Sequence, residues 1–395
     1  MALTLLCIAT YRKGDEFLRE CRRQGCRVLL LTDETLRDAD WPREAIDAFY
    51  YVRRGMPEAD IRKGAAYLAR TERLDRIIAL DDFDVELAAM LREYLHVPGM
   101  GQTTARAFRD KLAMRARART AGIPCPDFIH PVNVEALTEW VSAVQPPWVL
   151  KPRSQAAAIG IRKIASADEL QRTLDALGDD RAEYVLEQFV PGDVFHVDSL
   201  VFNRAIVFAE ASRYGAPPMA VAHEGGIFVT RTLGDAAPTP ELKATNARVL
   251  ETFGLQRGVS HTEFIYSHDG QVLFLETSAR VGGAYIVDVV EAATGLNLWR
   301  EWAKIEVAGE HGTYSPAQTK RRHAGIVLSL ARQENPDMSA YADAEIVTRI
   351  RKRHHAGLIV ASPDDERVRT LLDSYVNRFR TDFHASAPPP ERAMD

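Results

Sequence analysis

The stretch "VLFLETSAR", residues 272–280, decides how this chain is read. It is an apolar run that closes with Glu276, Ser278 and Arg280 at every second position, and strand side chains two apart share a face. Just upstream stands "HTEFIYSHDGQ", whose Asp269-Gly270 pair is a strong two-residue hairpin signal. With those two residues as the loop, His268 pairs with Gln271, and the register sets Glu263 directly opposite Glu276. Like charges with Cβ atoms roughly 5 Å apart are unfavourable unless something lies between them. A divalent cation is the natural guest, and losing either glutamate should relieve repulsion in the metal-free protein. The donors are oxygens, without the histidine or cysteine that zinc or copper would take, so magnesium is favoured. Arg280, one step along the same face, would reach an anion beside that cation. The competing reading is an exposed hairpin with Arg280 in a surface ion pair.

Two lysines upstream bear on that choice. Lys151 ends the strand "WVLKP" and precedes the small residues of "RSQAAAIGI", a cover suited to phosphates. Lys111 lies on an expected long basic helix, "RAFRDKLAMRARARTAG". GxxxxGK[ST] is absent, so this is no Walker-type loop, and the first strand-helix turn, "ATYRKGDEF", lacks a GxGxxG dinucleotide fingerprint.

The 395 residues suffice for two or three domains, and 46% hydrophobic with 27% charged residues describe a globular protein. Fifty Lys and Arg against 55 Asp and Glu, spread along the chain, argue against a nucleic-acid partner. Cys7, Cys21, Cys26 and Cys125 form no CxxC pair, which fits reduced thiols in a cytoplasm. The N-terminal apolar run is too short for a membrane span and reads as a first buried strand.

Strands at 3–9, 27–32 and 76–80 alternate with helical patterns, so residues 1–105 are expected to form an open parallel α/β domain. From about 106 the pattern changes. "YVLEQFV", "FHVDSLVF" and "AIVFAEAS" read as strands joined by the short turns "VPGD" and "NR", which are antiparallel signals. A small α+β portion with strands "AGIVLSL" and "AGLIVAS" is expected over 306–395, ending in the biased tail "ASAPPPERAMD".

The order Lys111, Lys151, "EQFVPG", Glu263, Glu276, Arg280 resembles the ATP-grasp superfamily of carboxylate-amine ligases over roughly residues 1–305. The resemblance implies a two-subdomain ATP-grasp fold over 106–305, preceded by a domain that contributes to the substrate site. It implies that Lys111 and Lys151 contact the nucleotide phosphates, with Ser154 in the covering loop. It makes "EQFV" the strand between the gripping subdomains, with Glu187, Phe189 and Val190 at the adenine. The family's usual acidic residue before "FHVD" is replaced by Val194, leaving Asp193, His196 or Asp198 for the ribose. Glu263 and Glu276 resemble the two metal glutamates, and Ser278 stands where Asn is usual, so one or two Mg2+ ions, or Mn2+, are implied beside ATP. Ala156, Ala157 and Ala158 replace the customary glycines.

The implied chemistry is attack of a carboxylate on the γ-phosphate, then displacement of phosphate from the acylphosphate by an amine. Positioning and charge neutralisation dominate such a reaction, and Arg280 would stabilise both intermediates. The segment 212–232 reads as a polar loop carrying substrate candidates Arg213, Gly226 and Arg231, with His223 to steer or deprotonate the amine. In "ALDDFDVE", Asp82 follows a strand end, where open α/β sheets bind ligands, and is a candidate for a cationic group; helix capping is the competing role for that acidic trio. Small-molecule carboxylate and amine partners are expected, no nucleic acid or membrane, and a homodimer is left open. A bicarbonate-activating carboxylase, a kinase on the same ATP site and a non-catalytic nucleotide sensor stand as alternatives.

Overall fold

The protein is described by a computed structural model covering residues 2–385 except Ala157 and Ala236, and without the side chains of His223 and Glu224. Apart from Ala385, the biased tail lies outside the described residues.

Strands β1 (Thr4–Ala9), β2 (Arg27–Asp33), β3 (Ala48–Val52) and β4 (Arg76–Ala79) form a parallel sheet in the order β3-β2-β1-β4. All six residues of β1 are buried, as expected of a strand covered on both faces. Strand β3, "AFYYV", escaped the sequence reading although all five residues are apolar or aromatic; it is a half-exposed edge strand. Helix Asp15–Arg23 packs on helix Leu298–Ala308, with Phe17 and Trp302 edge to face at 5.0 Å. That contact docks the parallel sheet, through the helix after β1, on the rest of the molecule.

A small antiparallel sheet follows, built from β5 (Phe128–Ile129), β6 (Trp148–Pro152), β7 (Arg162–Ile164) and β8 (Tyr184–Gln188) in the order β5-β8-β6-β7. The large antiparallel sheet takes β9 (Gly192–Phe202), β10 (Ala205–Tyr214), β11 (Phe228–Thr232), β12 (Gly258–Ser267), β13 (Val272–Ser278), β14 (His323–Leu330), β15 (Ile346–Lys352) and β16 (His355–Ser362). Its order is β13-β12-β9-β10-β11-β14-β16-β15. The strands expected as a separate C-terminal portion therefore continue this sheet, and helix Asp365–Asp382 packs on β14 and β16.

Three other expectations change. "VPGD" does not turn a hairpin: β8 and β9 belong to different sheets, so this segment is the crossover between them. "NR" does, with Asn203 and Arg204 both at positive φ between paired Phe202 and Ala205. The basic helix is not continuous, because the Asp110 side chain accepts N–H bonds from Leu112 (3.0 Å) and Ala113 (3.3 Å) and starts a new helix, Lys111–Thr120. The segment 212–232 is not one loop: β10 runs to Tyr214, a short helix spans Pro218–Glu224, and β11 begins at Phe228.

Candidate active site

Glu263 and Glu276 are direct cross-strand partners on β12 and β13. The pairing is the expected one, reached by another route. The loop holds three residues, His268 to Gly270, closed by the Ser267 N–H on the Gln271 carbonyl at 3.0 Å, with Gly270 at φ 83°. Leu275 then stands as an extra residue between the pairs Phe264–Phe274 and Glu263–Glu276. The bulge re-aims the strand: Phe274 enters the core with Phe264 and Phe253, whereas Glu276, two residues later, does not share that face.

Lys111 sits at the start of its helix with Nζ 3.2 Å from Glu276 Oε2 and donating to the Gln155 carbonyl at 2.6 Å. Its backbone N–H is tied to the Arg153 carbonyl (2.9 Å), so the helix and the loop after Lys151 move as one. Burial pushes the Glu276 carboxyl up, but Lys111 and Lys151 outweigh it and hold its pKa down at about 2. Lys151 Nζ donates to Glu187 Oε2 at 2.7 Å, and Arg115 approaches the other Glu187 oxygen at 2.9 Å. Burial raises Glu187, yet Arg115 and Lys151 prevail and its pKa is lowered. Arg115 was missed in the sequence, although it lies four residues after Lys111 and so shares its helix face. It is wholly buried, and its Nε and NH1 atoms find no hydrogen-bond partner among the described residues.

Around Glu263 the same face of β9, β10 and β12 is polar and buried. The Tyr214 hydroxyl donates to Glu263 Oε1 at 2.8 Å and lies 3.3 Å from His261 Nε2. His261 Nδ1 is 2.9 Å from Asp198 Oδ1, and His196 Nδ1 is 2.7 Å from Asp198 Oδ2. Burial lowers His261, but Asp198 outweighs it and the imidazole is raised to about 9, so it is a cation at neutral pH. Burial and Glu263 push the Tyr214 hydroxyl far up, keeping it a donor. A histidine therefore does stand beside the acidic pair, contrary to the all-oxygen reading, and HTE shows it two residues before Glu263. His196, expected at the ribose, is fully enclosed with both ring nitrogens engaged, the second by Thr230 Oγ1 at 2.8 Å, and so cannot serve there. Of the three ribose candidates only Asp193 is exposed.

Arg280 follows β13; one guanidinium nitrogen donates to the Val281 carbonyl (2.7 Å), and no carboxylate lies within ion-pair distance among the described residues. Burial opposes its charge, but Asp82, Asp81 and Glu276 outweigh it. Asp82 is buried with one oxygen, Oδ2, on Arg109, which also donates to the Ser154 carbonyl, while its Oδ1 has no hydrogen-bond partner among the described residues. Asp81 caps the following turn through the Phe83 N–H (2.9 Å) and pairs with Lys13. Asp84 accepts from the Thr10 N–H and hydroxyl, and burial raises it to about 7.

Arg213 and Arg231 are paired in register on β10 and β11, next to Ser212, which pairs with His196. Alternation turns both arginines to the face opposite Glu263, where Arg213 meets Asp193 (2.9 Å) and Arg231 meets Asp365 (3.0 Å). Tyr214 and Thr230, not the arginines, are what this segment aims at the site. Gly226 is exposed, its N–H on the Val221 carbonyl. His223 lies in helix Pro218–Glu224, and its side chain is outside the described residues. Ser154 is exposed, while Phe189 and Val190 occupy the crossover, with Lys163 Nζ 3.9 Å over the Phe189 ring. Ser278 is half-buried at the end of β13, opposite His261.

The site thus sets Lys111 on Glu276 and Lys151 on Glu187, beside the cross-strand pair Glu263–Glu276. Residues 144–288 match the ATP-grasp domain family, and the chain carries that domain. It is 27% identical over 241 residues to the L-arginine-specific L-amino acid ligase of Bacillus subtilis, a match covering 59% of this chain and 58% of that enzyme. It is also 27% identical over 259 residues to the D-alanine–D-alanine ligase of Pseudomonas fluorescens, covering 62% and 78%. Among solved structures, L-amino acid ligase from Bacillus licheniformis superposes with a TM-score of 0.75 at 17% identity, over 97% of this chain and 98% of that one. N5-carboxyaminoimidazole synthetase from Staphylococcus aureus complexed with ADP gives 0.72 at 14%, over 95% and 98%. No described helix is long and apolar enough to cross a membrane.

Proposed function

We propose that this chain is an ATP-dependent ligase that joins a small carboxylate to an amine and releases ADP and phosphate. The observation that carries this reading is the cross-strand pair Glu263–Glu276 with Lys111 3.2 Å from Glu276. Anionic and cationic groups meet there as a Mg2+-triphosphate requires. The donor set fits the cation: the glutamates face one another, and among the described residues each keeps one oxygen without a protein partner, Oε2 of Glu263 and Oε1 of Glu276. When bound, magnesium supplies charge neutralisation at the phosphate oxygens. Lys111 and Lys151 would hold the triphosphate, and the crossover at Phe189 and Val190 would line the base. A carboxylate oxygen of the substrate then bonds to the γ-phosphorus as ADP leaves. The amine nitrogen next bonds to the acyl carbon, phosphate departs and the amine gives up a proton. Arg280, within the field of Glu276 and without a paired carboxylate among the described residues, would stabilise the acylphosphate and the oxyanion.

The curated ligase relatives support this reading, and the four free thiols suit a cytoplasmic setting. We retain residues 1–105 as the unit that brings Asp81 and Asp82 to the site and 106–305 as the gripping unit. Purified protein, Mg2+ and ATP offered paired amino acids, dipeptides and small carboxylic acids should release ADP and phosphate only when both an acid and an amine are present. AMP with pyrophosphate would refute the assignment, and an ADP-forming rate with bicarbonate alone would move it to the carboxylases.

A further inference from the structure

The face bearing Glu263 holds more polar structure than phosphoryl transfer needs. Thr230, His196, Asp198, His261 and Tyr214 form a buried chain, each member bonded to the next at 2.8, 2.7, 2.9 and 3.3 Å, and the chain ends at 2.8 Å on one oxygen of Glu263. Burying so many polar groups is costly unless each is satisfied, and a satisfied network is rigid. This one leads to a single atom, Oε1 of Glu263. His261 Nε2 approaches the same oxygen at 3.5 Å, so both outer members converge on Oε1 and none on Oε2.

We propose that Tyr214, braced by the Asp198–His261 pair, is a positioning residue that occupies Oε1 of Glu263, reserves Oε2 for the cation and thereby selects magnesium against calcium. The inference rests on the metal reading of Glu263 given above. Its physical basis is coordination number. Calcium readily takes both oxygens of a carboxylate in a loose shell of 6–8 ligands, whereas magnesium demands near-octahedral geometry and few protein oxygens. A buried hydroxyl held on one oxygen takes one of its two lone pairs and so disfavours chelation through both. Outer partners of this kind typically change metal affinity by about 10–100-fold when removed.

The test uses the full chain, stripped of metal and saturated with ADP, with Mn2+ as the probe and the resonance of free Mn2+ as the readout; Mg2+ and Ca2+ are measured by competition. Tyr214→Phe should weaken Mg2+ by about 10–100-fold while Ca2+ changes far less, so the preference between them narrows. His261→Gln retains the Tyr214 hydroxyl but removes its brace, and should move the ratio in the same direction; it carries the test if Tyr214→Phe does not fold. Parent-like Mg2+ and Ca2+ affinities in both variants, alongside Mn2+ binding lost in Glu263→Gln, would overturn the role of Tyr214 and leave the metal reading intact. Parent-like Mn2+ binding in Glu263→Gln would instead overturn the metal reading itself.

Discussion

Glu276 is the residue whose surroundings most change what its sequence neighbours suggest. Facing Glu263 alone, it would repel, and its removal would relieve the metal-free protein. Lys111 at 3.2 Å and the field of Lys151 alter that balance, since they hold the carboxyl well below its ordinary range. Glu276→Gln should therefore cost stability modestly without ligands, of order 1 kcal/mol for a charge-assisted bond at a half-buried site. It should also abolish the additional stabilisation that magnesium and a non-hydrolysable ATP analogue give the parent by linkage. Thermal melts with and without both ligands decide it; equal ligand-induced shifts in the two proteins would remove Glu276 from the metal. The lysines and glutamates were legible because their residue types and order carry chemistry. Tyr214, Arg115 and Arg109 were not, because a tyrosine at a strand end or an arginine on a basic helix reads as surface until packing shows which way it points.

Elements place these residues, and one cap does much of the placing. Asp110 starts the helix Lys111–Thr120 and also pairs with Arg153, next but one to Lys151, so the two lysines are set by one carboxylate. Burial raises Asp110, yet Arg153 prevails and its pKa is lowered. Asp110→Ala should cost about 0.5–2 kcal/mol for the cap and, in addition, weaken ATP binding, because Lys111 loses its fixed origin. Denaturant melts together with nucleotide titration check both; lost stability with unchanged nucleotide affinity would separate the cap from the site. The sequence showed a basic helical pattern but not this break, since Asp within an apolar-periodic run reads as a helix surface residue. It likewise showed the hairpin but not the bulge at Leu275. The DG turn and the real three-residue loop differ by one residue, and the bulge makes up the difference before Glu276. The joining of β14–β16 to the large sheet is a long-range outcome that no local pattern encodes.

At the scale of the whole molecule, the buried Asp198–His261 pair ties β9 to β12 at the centre of the large sheet. The folded-state pKa of His261, about 9, lies above the ordinary value near 6.5. Its contribution is fully present below about pH 6.5 and is lost as pH rises through about 9, a fall of up to about 3 kcal/mol. His261→Gln should flatten stability over that window, as denaturant midpoints at pH 6.5 and 9 would report; a parent-like slope would assign it to other groups. Lys111 rests on Glu276 and Lys151 on Glu187, so the two lysines proposed for the phosphates are already matched to acids. On the proposed function, loading the site would be a metathesis of two salts, with lysine carboxylate and magnesium phosphate trading counter-ions. Neither reagent alone completes the trade: free cation must displace Lys111 without giving it an anion, and free nucleotide must win Lys151 while Glu276 stays uncovered. Cation and nucleotide should thus bind with strong mutual assistance, and the same melts run with each ligand singly would read out the synergy.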